Sequence, residues 1–268
     1  MPILQRWGAT YFCSGVFVLV ALWATQQQFA ANQGSGGSSQ LRFEISFPAT
    51  VNSKALDGHI MLGIAKDEKP EPRYQLKEEE AESAQFFGLD VDALAPDTSA
   101  TIDSSTLGYP IVKLDALPAG DYYVQAVLNV YETFHRADGH TVKLPPDMGE
   151  GQQWFDKPGN LFSKSQKLHI DPAAGGVVRI SLSDKIPAVQ PPADTKYVKH
   201  FRIQSKLLSD FWGRPMYLGA IVILPEGFDQ HPNAKFPLLI DQGHFPADFR
   251  GFAPRFHERR EIRIRIPP

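Results

Sequence analysis

The sequence predicts a mainly β protein, with an antiparallel β-sandwich in the middle of the chain and the first strands of a second domain after it. Three observations lead there. From residue 41 onward, short segments alternate apolar and polar residues at period two, the pattern of strands with one buried face. Clusters of Pro, Gly and Asp separate these segments, as in a two-layer β fold. Beyond a Pro-rich stretch at 187–194 the alternation gives way to two nearly continuous apolar runs, 217–224 and 236–240, which read as strands buried on both faces.

A chain of 268 residues is long enough for one large domain or two ordinary ones. Its 43% hydrophobic and 21% charged residues are a globular composition. A net charge of −3 and a pI near 6.2 offer no basic field, which argues against nucleic acid as a partner.

At the N-terminus a single positive charge, Arg6, precedes an uncharged apolar stretch at 7–24, and small residues follow at Ala24, Ala30 and Ala31. That is the layout of a secretory signal peptide. Residues 1–31 are therefore expected to be a cleaved leader or an uncleaved membrane anchor, and the rest of the chain periplasmic or secreted. Contact with a membrane is expected only through this segment. Cys13 is the one cysteine, so no disulfide can form within the chain and stability must come from packing. Residues 32–40 contain the Gly/Ser-rich text QGSGGSSQ and read as a flexible tether.

Residues 41–186 form the expected sandwich. Arg42-Phe43-Glu44-Ile45-Ser46-Phe47 alternates cleanly, and 58–65, 109–114, 121–134, 166–170 and 176–182 continue in the same manner. The stretch 78–87, with its EEEAES run, reads as a short helix or a solvated loop. Before 121–134 stands Leu117-Pro118-Ala119-Gly120, where Pro fixes φ and Gly is expected to take a positive φ. The strand that follows puts Tyr122, Val124 and Ala126 on one face and Tyr123, Gln125 and Val127 on the other. This phrase resembles the edge hairpin of Ig-like and prealbumin-like sandwich modules. The resemblance implies an Ig-like β-sandwich and identifies no ligand.

The connection at 136–160 is longer than the about 12–15 residues at which structureless loops become uncommon. It carries Asp138, His140, Asp147 and Glu150, residue types that can bind a hard metal ion or sugar hydroxyls, and Trp154, a side chain on which a sugar ring can stack. Their spacing fits neither an EF-hand nor a zinc motif, so no metal and no cofactor is assigned. The plainer reading is a packed loop over the end of the sandwich or over its neighbour.

Residues 187–195 read as an extended, Pro-rich linker. Residues 196–208 read as a strand pair, and Phe211-Trp212-Gly213-Arg214-Pro215 as a turn anchored to a core by its two aromatics. The run 217–224 then enters Leu224-Pro225-Glu226-Gly227-Phe228-Asp229, and a Pro/Asn-containing loop leads to Phe236-Pro237-Leu238-Leu239-Ile240-Asp241-Gln242-Gly243. These two phrases resemble the opening strands of the α/β-hydrolases that include esterase D and the enterochelin-esterase-like enzymes. There the phrases read LPxGYD and YPVVYLLHG, so Gln242 stands where the family has His, and His244 lies on the far side of Gly243. The resemblance implies that 196–250 opens an α/β-hydrolase domain. It also implies that the backbone at Gly243 and His244 forms part of an oxyanion hole for ester hydrolysis.

A hydrolase of that fold needs Ser at a G-x-S-x-G elbow, then an acid, then His, and no G-x-S-x-G occurs in these 268 residues. The chain is therefore expected to be the front part of an exported esterase, catalytically incomplete by itself, with no catalytic side chain of its own. His244 precedes the point where the Ser would come and is not the triad base; His200, His231 and His257 read as surface or structural. An ester or carbohydrate substrate would be met only through a missing downstream domain. Residues 251–268 have no Lys but carry Arg255, Arg259, Arg260, Arg263 and Arg265, and are expected to be a non-native or disordered tail outside the fold, the alternatives being a basic interaction tail or a short strand from the alternation of Ile262, Ile264 and Ile266. The alternative from another class is a stand-alone extracellular sandwich that binds carbohydrate or a partner protein.

Overall fold

The computed structural model describes residues 40–77, 83–146, 153–188, 190 and 193–240. The leader, the Arg-rich tail, Asp147, Glu150, Gly243, His244 and His257 lie outside the described residues. Of those described, 42% are in strands and 9% in helices, so the protein is mainly β, as the alternation predicts.

Two sheets are built between residues 42 and 185. The smaller holds β1 (Arg42–Ser46), β4 (Ser99–Ile102) and β10 (Val177–Ser181) in the order β10-β1-β4. The larger runs β11-β8-β6-β2-β3-β5, where β2 is Leu56–Ala65, β3 Gln85–Leu94, β5 Gly108–Tyr109, β6 Gly120–His135, β8 Leu161–Phe162 and β11 Asp184–Lys185. Two more strands, β7 (Thr141–Leu144) and β9 (Gln166–Ile170), pair with the long β6. All pairings in both sheets are antiparallel except one. β1 lies parallel to β10, in register from Arg42 opposite Val177 to Ser46 opposite Ser181, which departs from the fully antiparallel expectation.

Both sheets feed one buried cluster. Phe43 and Ile45 of β1, Ile102 of β4 and Ile180 of β10 meet Ile60, Leu62 and Ile64 of β2, Phe87 of β3, and Val124, Ala126 and Leu128 of β6. Period two delivers these side chains to one face of each strand, and each one fully buried contributes about 1.5–3 kcal/mol. Tyr122 joins them as expected, and its hydroxyl donates a hydrogen bond to the Pro118 carbonyl at 2.7 Å. Gly120 is not in the expected positive-φ region. Its missing side chain leaves room for Lys66, whose Nζ lies 3.6 Å from the centre of the Tyr122 ring.

The opposite face of β2 and β6 is covered as well. Buried Gln125 on that face donates to Glu71 Oε2 (2.7 Å) and to the Ser163 carbonyl (2.9 Å), and accepts from the Arg73 N–H (3.1 Å). β8 is only two residues long, and polar side chains on either side of it complete the ladder of β6: Asn160 Oδ1 accepts from Val130 N–H and Ser163 Oγ from Ala126 N–H. Each of these two N–H groups is thereby satisfied.

Three further expectations are corrected. The stretch 109–114 is not a strand: Pro110 has no N–H to continue a ladder, so β5 stops at Tyr109 and a 3₁₀ turn forms at Leu114–Ala116. Gln85 to Phe87 belong to β3 rather than to a helix or loop, with Phe87, Leu89 and Val91 alternating against Gly88 and Asp90; residues 78–82 lie outside the described residues. Residues 196–208 are not a strand pair. Only β12 (Val198–Gln204) is a strand there, and α1 (Lys206–Trp212) follows, because the Ser205 side chain caps it by accepting from Leu208 N–H.

Candidate functional site

The region that carries the hydrolase resemblance is built from β12, α1 and β13 (Tyr217–Ile223). β12 and β13 form a separate two-stranded antiparallel sheet, with Val198 opposite Ile223 and Gln204 opposite Tyr217. α1 ends at Gly213, whose φ of 65° closes the helix without a Cβ clash. Ser209 ties helix to strand: its Oγ accepts from Met216 N–H (2.9 Å) and donates to the Ser205 carbonyl (2.6 Å). That hydroxyl serves the backbone and is not posed as a nucleophile.

This unit is docked on the β6–β7 hairpin. The Trp212 ring meets Phe134 edge-on at 5.4 Å, and the Ala137 N–H donates to the Phe211 carbonyl at 2.7 Å. Arg214 pairs with Glu132 and lies 5.0 Å from the Phe134 ring, while Arg136 stands 5.0 Å from the Phe211 ring. Phe211 and Trp212 thus anchor the segment to the β domain, as their aromatic character suggests. Their partners Glu132, Phe134 and Arg136 carry no signal in the sequence, since nothing there tells which residues at the end of a long strand will meet a later helix.

Burial changes abruptly along the chain. Every buried apolar side chain among the described residues lies between Leu41 and Ile186. Of the exposed large apolar ones, all but Leu107, Tyr109, Val112 and Leu144 lie at 197–240. The run 236–240 forms no strand, against expectation, and Leu239 is 90% exposed. No neighbouring strand among the described residues offers it a ladder of partners. The turn after β13 encloses, with Lys196, Tyr197, Gly227, Phe228 and Asp229, a cavity of about 60 Å³, well below the about 300–1,000 Å³ of a ligand pocket.

Of the residues singled out at 136–160, Asp138 and His140 meet each other, with His140 Nδ1 3.2 Å from Asp138 Oδ1, and Trp154 packs against other aromatics. Asp138 lies in the turn of the β6–β7 hairpin, an Asp-Gly turn with Gly139 at φ 86°, and His140 follows it, so the first part of the expected loop is a strand pair. Burial pushes the Asp138 carboxyl up, but bonds from the His140 N–H, the His140 ring and Arg136 outweigh it and hold the carboxyl below its ordinary value. Trp154 packs edge-on against Phe86 (5.9 Å) and Phe155 (5.5 Å), and its carbonyl accepts from Asn160 Nδ2, which makes it part of the outer covering of the large sheet. Asp147 and Glu150 lie outside the described residues. Among the described residues no three His, Cys, Asp or Glu side chains come together as a metal site.

Of the remaining histidines, His200 Nδ1 lies 3.1 Å from Asp194 Oδ1. The His200 N–H first, and its ring second, hold the Asp194 carboxyl below its ordinary value. His231 is exposed beside the Gly227 turn. No helix among the described residues is long and apolar enough to cross a membrane. Comparison with family models, with curated proteins and with solved structures gives no match for this chain.

Proposed function

We propose that the chain is the N-terminal part of an exported ester hydrolase. Residues 41–186 are an Ig-like sandwich module, 196–250 open an α/β-hydrolase domain, and the chain by itself is catalytically incomplete. The observation that carries this reading is the division of burial: a closed core within 41–186, and exposed large apolar side chains at 197–240 in the very segment whose phrases resemble the esterases. Strands of that hydrophobicity belong inside a sheet covered on both faces. The Tyr122 hydroxyl bound to the Pro118 carbonyl supports the Ig-like part, because a tyrosine bonded back to the backbone a few residues upstream is a hallmark of such sandwiches. The reaction class is acyl transfer to water, with a serine nucleophile and an oxyanion held by backbone N–H groups.

Translation of the coding DNA beyond codon 250 in all three frames tests the proposal. A long open stretch with G-x-S-x-G, then Asp or Glu, then His is expected, and the joined protein should hydrolyse p-nitrophenyl esters while this chain does not. Closed frames, or an unrelated product, would leave the stand-alone module that binds carbohydrate or a partner protein as the better account.

A further inference from the structure

The two outer edges of the β12–β13 sheet are treated differently. Tyr197 and Ser205, at the two ends of β12, bond across to β13: Leu224 N–H donates to the Tyr197 carbonyl (2.7 Å) and Ser205 N–H to the Met216 carbonyl (2.9 Å). Antiparallel pairing alternates bonded and non-bonded pairs, so Lys199, Phe201 and Ile203 bond to Val222, Ala220 and Leu218. Val198, His200, Arg202 and Gln204 therefore turn their backbone groups outward, and the first part of this edge is capped. Val198 N–H donates to Thr195 Oγ1 (3.0 Å), Thr195 N–H to the Val198 carbonyl (2.9 Å), and His200 N–H to Asp194 Oδ1 (2.9 Å).

On β13 the same alternation turns the backbone groups of Tyr217, Gly219, Ile221 and Ile223 outward. No strand, cap or side chain among the described residues meets them. Of the devices that keep an edge from pairing, 217–224 holds no charge, no Pro and no bulge.

We propose that the outer edge of β13 pairs with the same edge of a second copy of this chain, extending the β12–β13 sheet across a two-fold axis into four strands. The strand is complementary to itself. With Ala220 on the axis, Gly219 faces Ile221 and Tyr217 faces Ile223, each pair bringing together outward N–H and C=O groups. No like charges meet, and the nearest charged residues on either side, Arg214 and Glu226, are equally far from Ala220 and of opposite sign. The sheet would carry Phe201, Ile203 and Leu218 of both copies on one continuous apolar face. The pairing uses backbone groups and does not rest on the esterase reading.

Sedimentation velocity of the full chain over a hundredfold concentration range tests this. A monomer–dimer equilibrium is expected for the native sequence. Ile221→Pro deletes one outward N–H while leaving the bonds to β12 untouched, and should abolish the dimer; Ile221→Lys places a charge beside its symmetry mate and should do the same. If either variant unfolds by circular dichroism, the other decides. A native chain that is monomeric throughout, or a dimer that survives in a folded variant, overturns the proposal.

Discussion

Ala93 holds a positive φ of 51°, a conformation costly for a residue with a Cβ, and Asp57 is what holds it there. Asp57 Oδ1 accepts from the Ala93 N–H at 2.7 Å while Lys143 stands 3.0 Å from Oδ2; these bonds, that from Ala93 first, keep the carboxyl below its ordinary value. A carboxyl with a lower pKa folded than unfolded adds stability above its unfolded pKa, near 3.8, and loses it as pH falls through the folded value. Asp57→Asn should therefore cost about 0.5–1 kcal/mol at pH 7, and the gap should close in melts near pH 2; an equal gap at both would refute the linkage. Ala93→Gly relieves the strained φ at a smaller entropic cost and should gain about 0.5–1 kcal/mol, read as a higher Tm. The opposite holds at Gly58, where a Cβ would stand 2.3 Å from the Asn129 carbonyl oxygen, so Gly58→Ala should lower Tm markedly. Neither position is legible in the sequence: Gly58 reads as an ordinary strand residue, and the strain at Ala93 depends on an aspartate far away in the chain.

The strands read correctly from the sequence are β1, β2, β6, β9 and β10, whose alternation runs long enough to outweigh local propensity, and β13, whose continuous apolar run marks it. β6 is the clearest, with both of its faces assigned in advance at Tyr122 to Val127. The failures have physical causes. In 109–114 the apolar text is right for a strand, but Pro110 cannot donate. At 141–144 the Asp138-Gly139 turn was a hairpin signal that the long polar loop obscured. α1 is one short capped helix, too brief for a period to show. Of the candidate site, the anchoring role of Phe211 and Trp212 was legible and the surface receiving them was not. That docking gives a test at this scale. Trp212→Ala removes the contact with Phe134, so amide exchange should quicken across α1 and β13 by tenfold or more, while β2 and β6 exchange as before. Equal protection in α1 would mean that the Phe134 contact is not what holds it.

At the scale of the whole chain, the core closed within 41–186 implies that a fragment covering those residues folds by itself. Its Tm should lie within a few degrees of the full chain's, and the full chain should bind more of a hydrophobic dye such as ANS through its strands beyond 196. A fragment that fails to melt cooperatively would show that the docked unit is needed. The parallel pair of β1 with β10 has a consequence of another kind. β1 leaves the ribosome first, yet its partner across from Arg42 is Val177, at the other end of the domain. Until that residue is made, Phe43 and Ile45 have only the β4 side of their sheet. Closing so long a loop costs little free energy, since the entropy grows only with the logarithm of length, but it takes time. A nascent chain must therefore wait, with its first strand open on one edge, for almost the last, and a chaperone that binds early should find its target there.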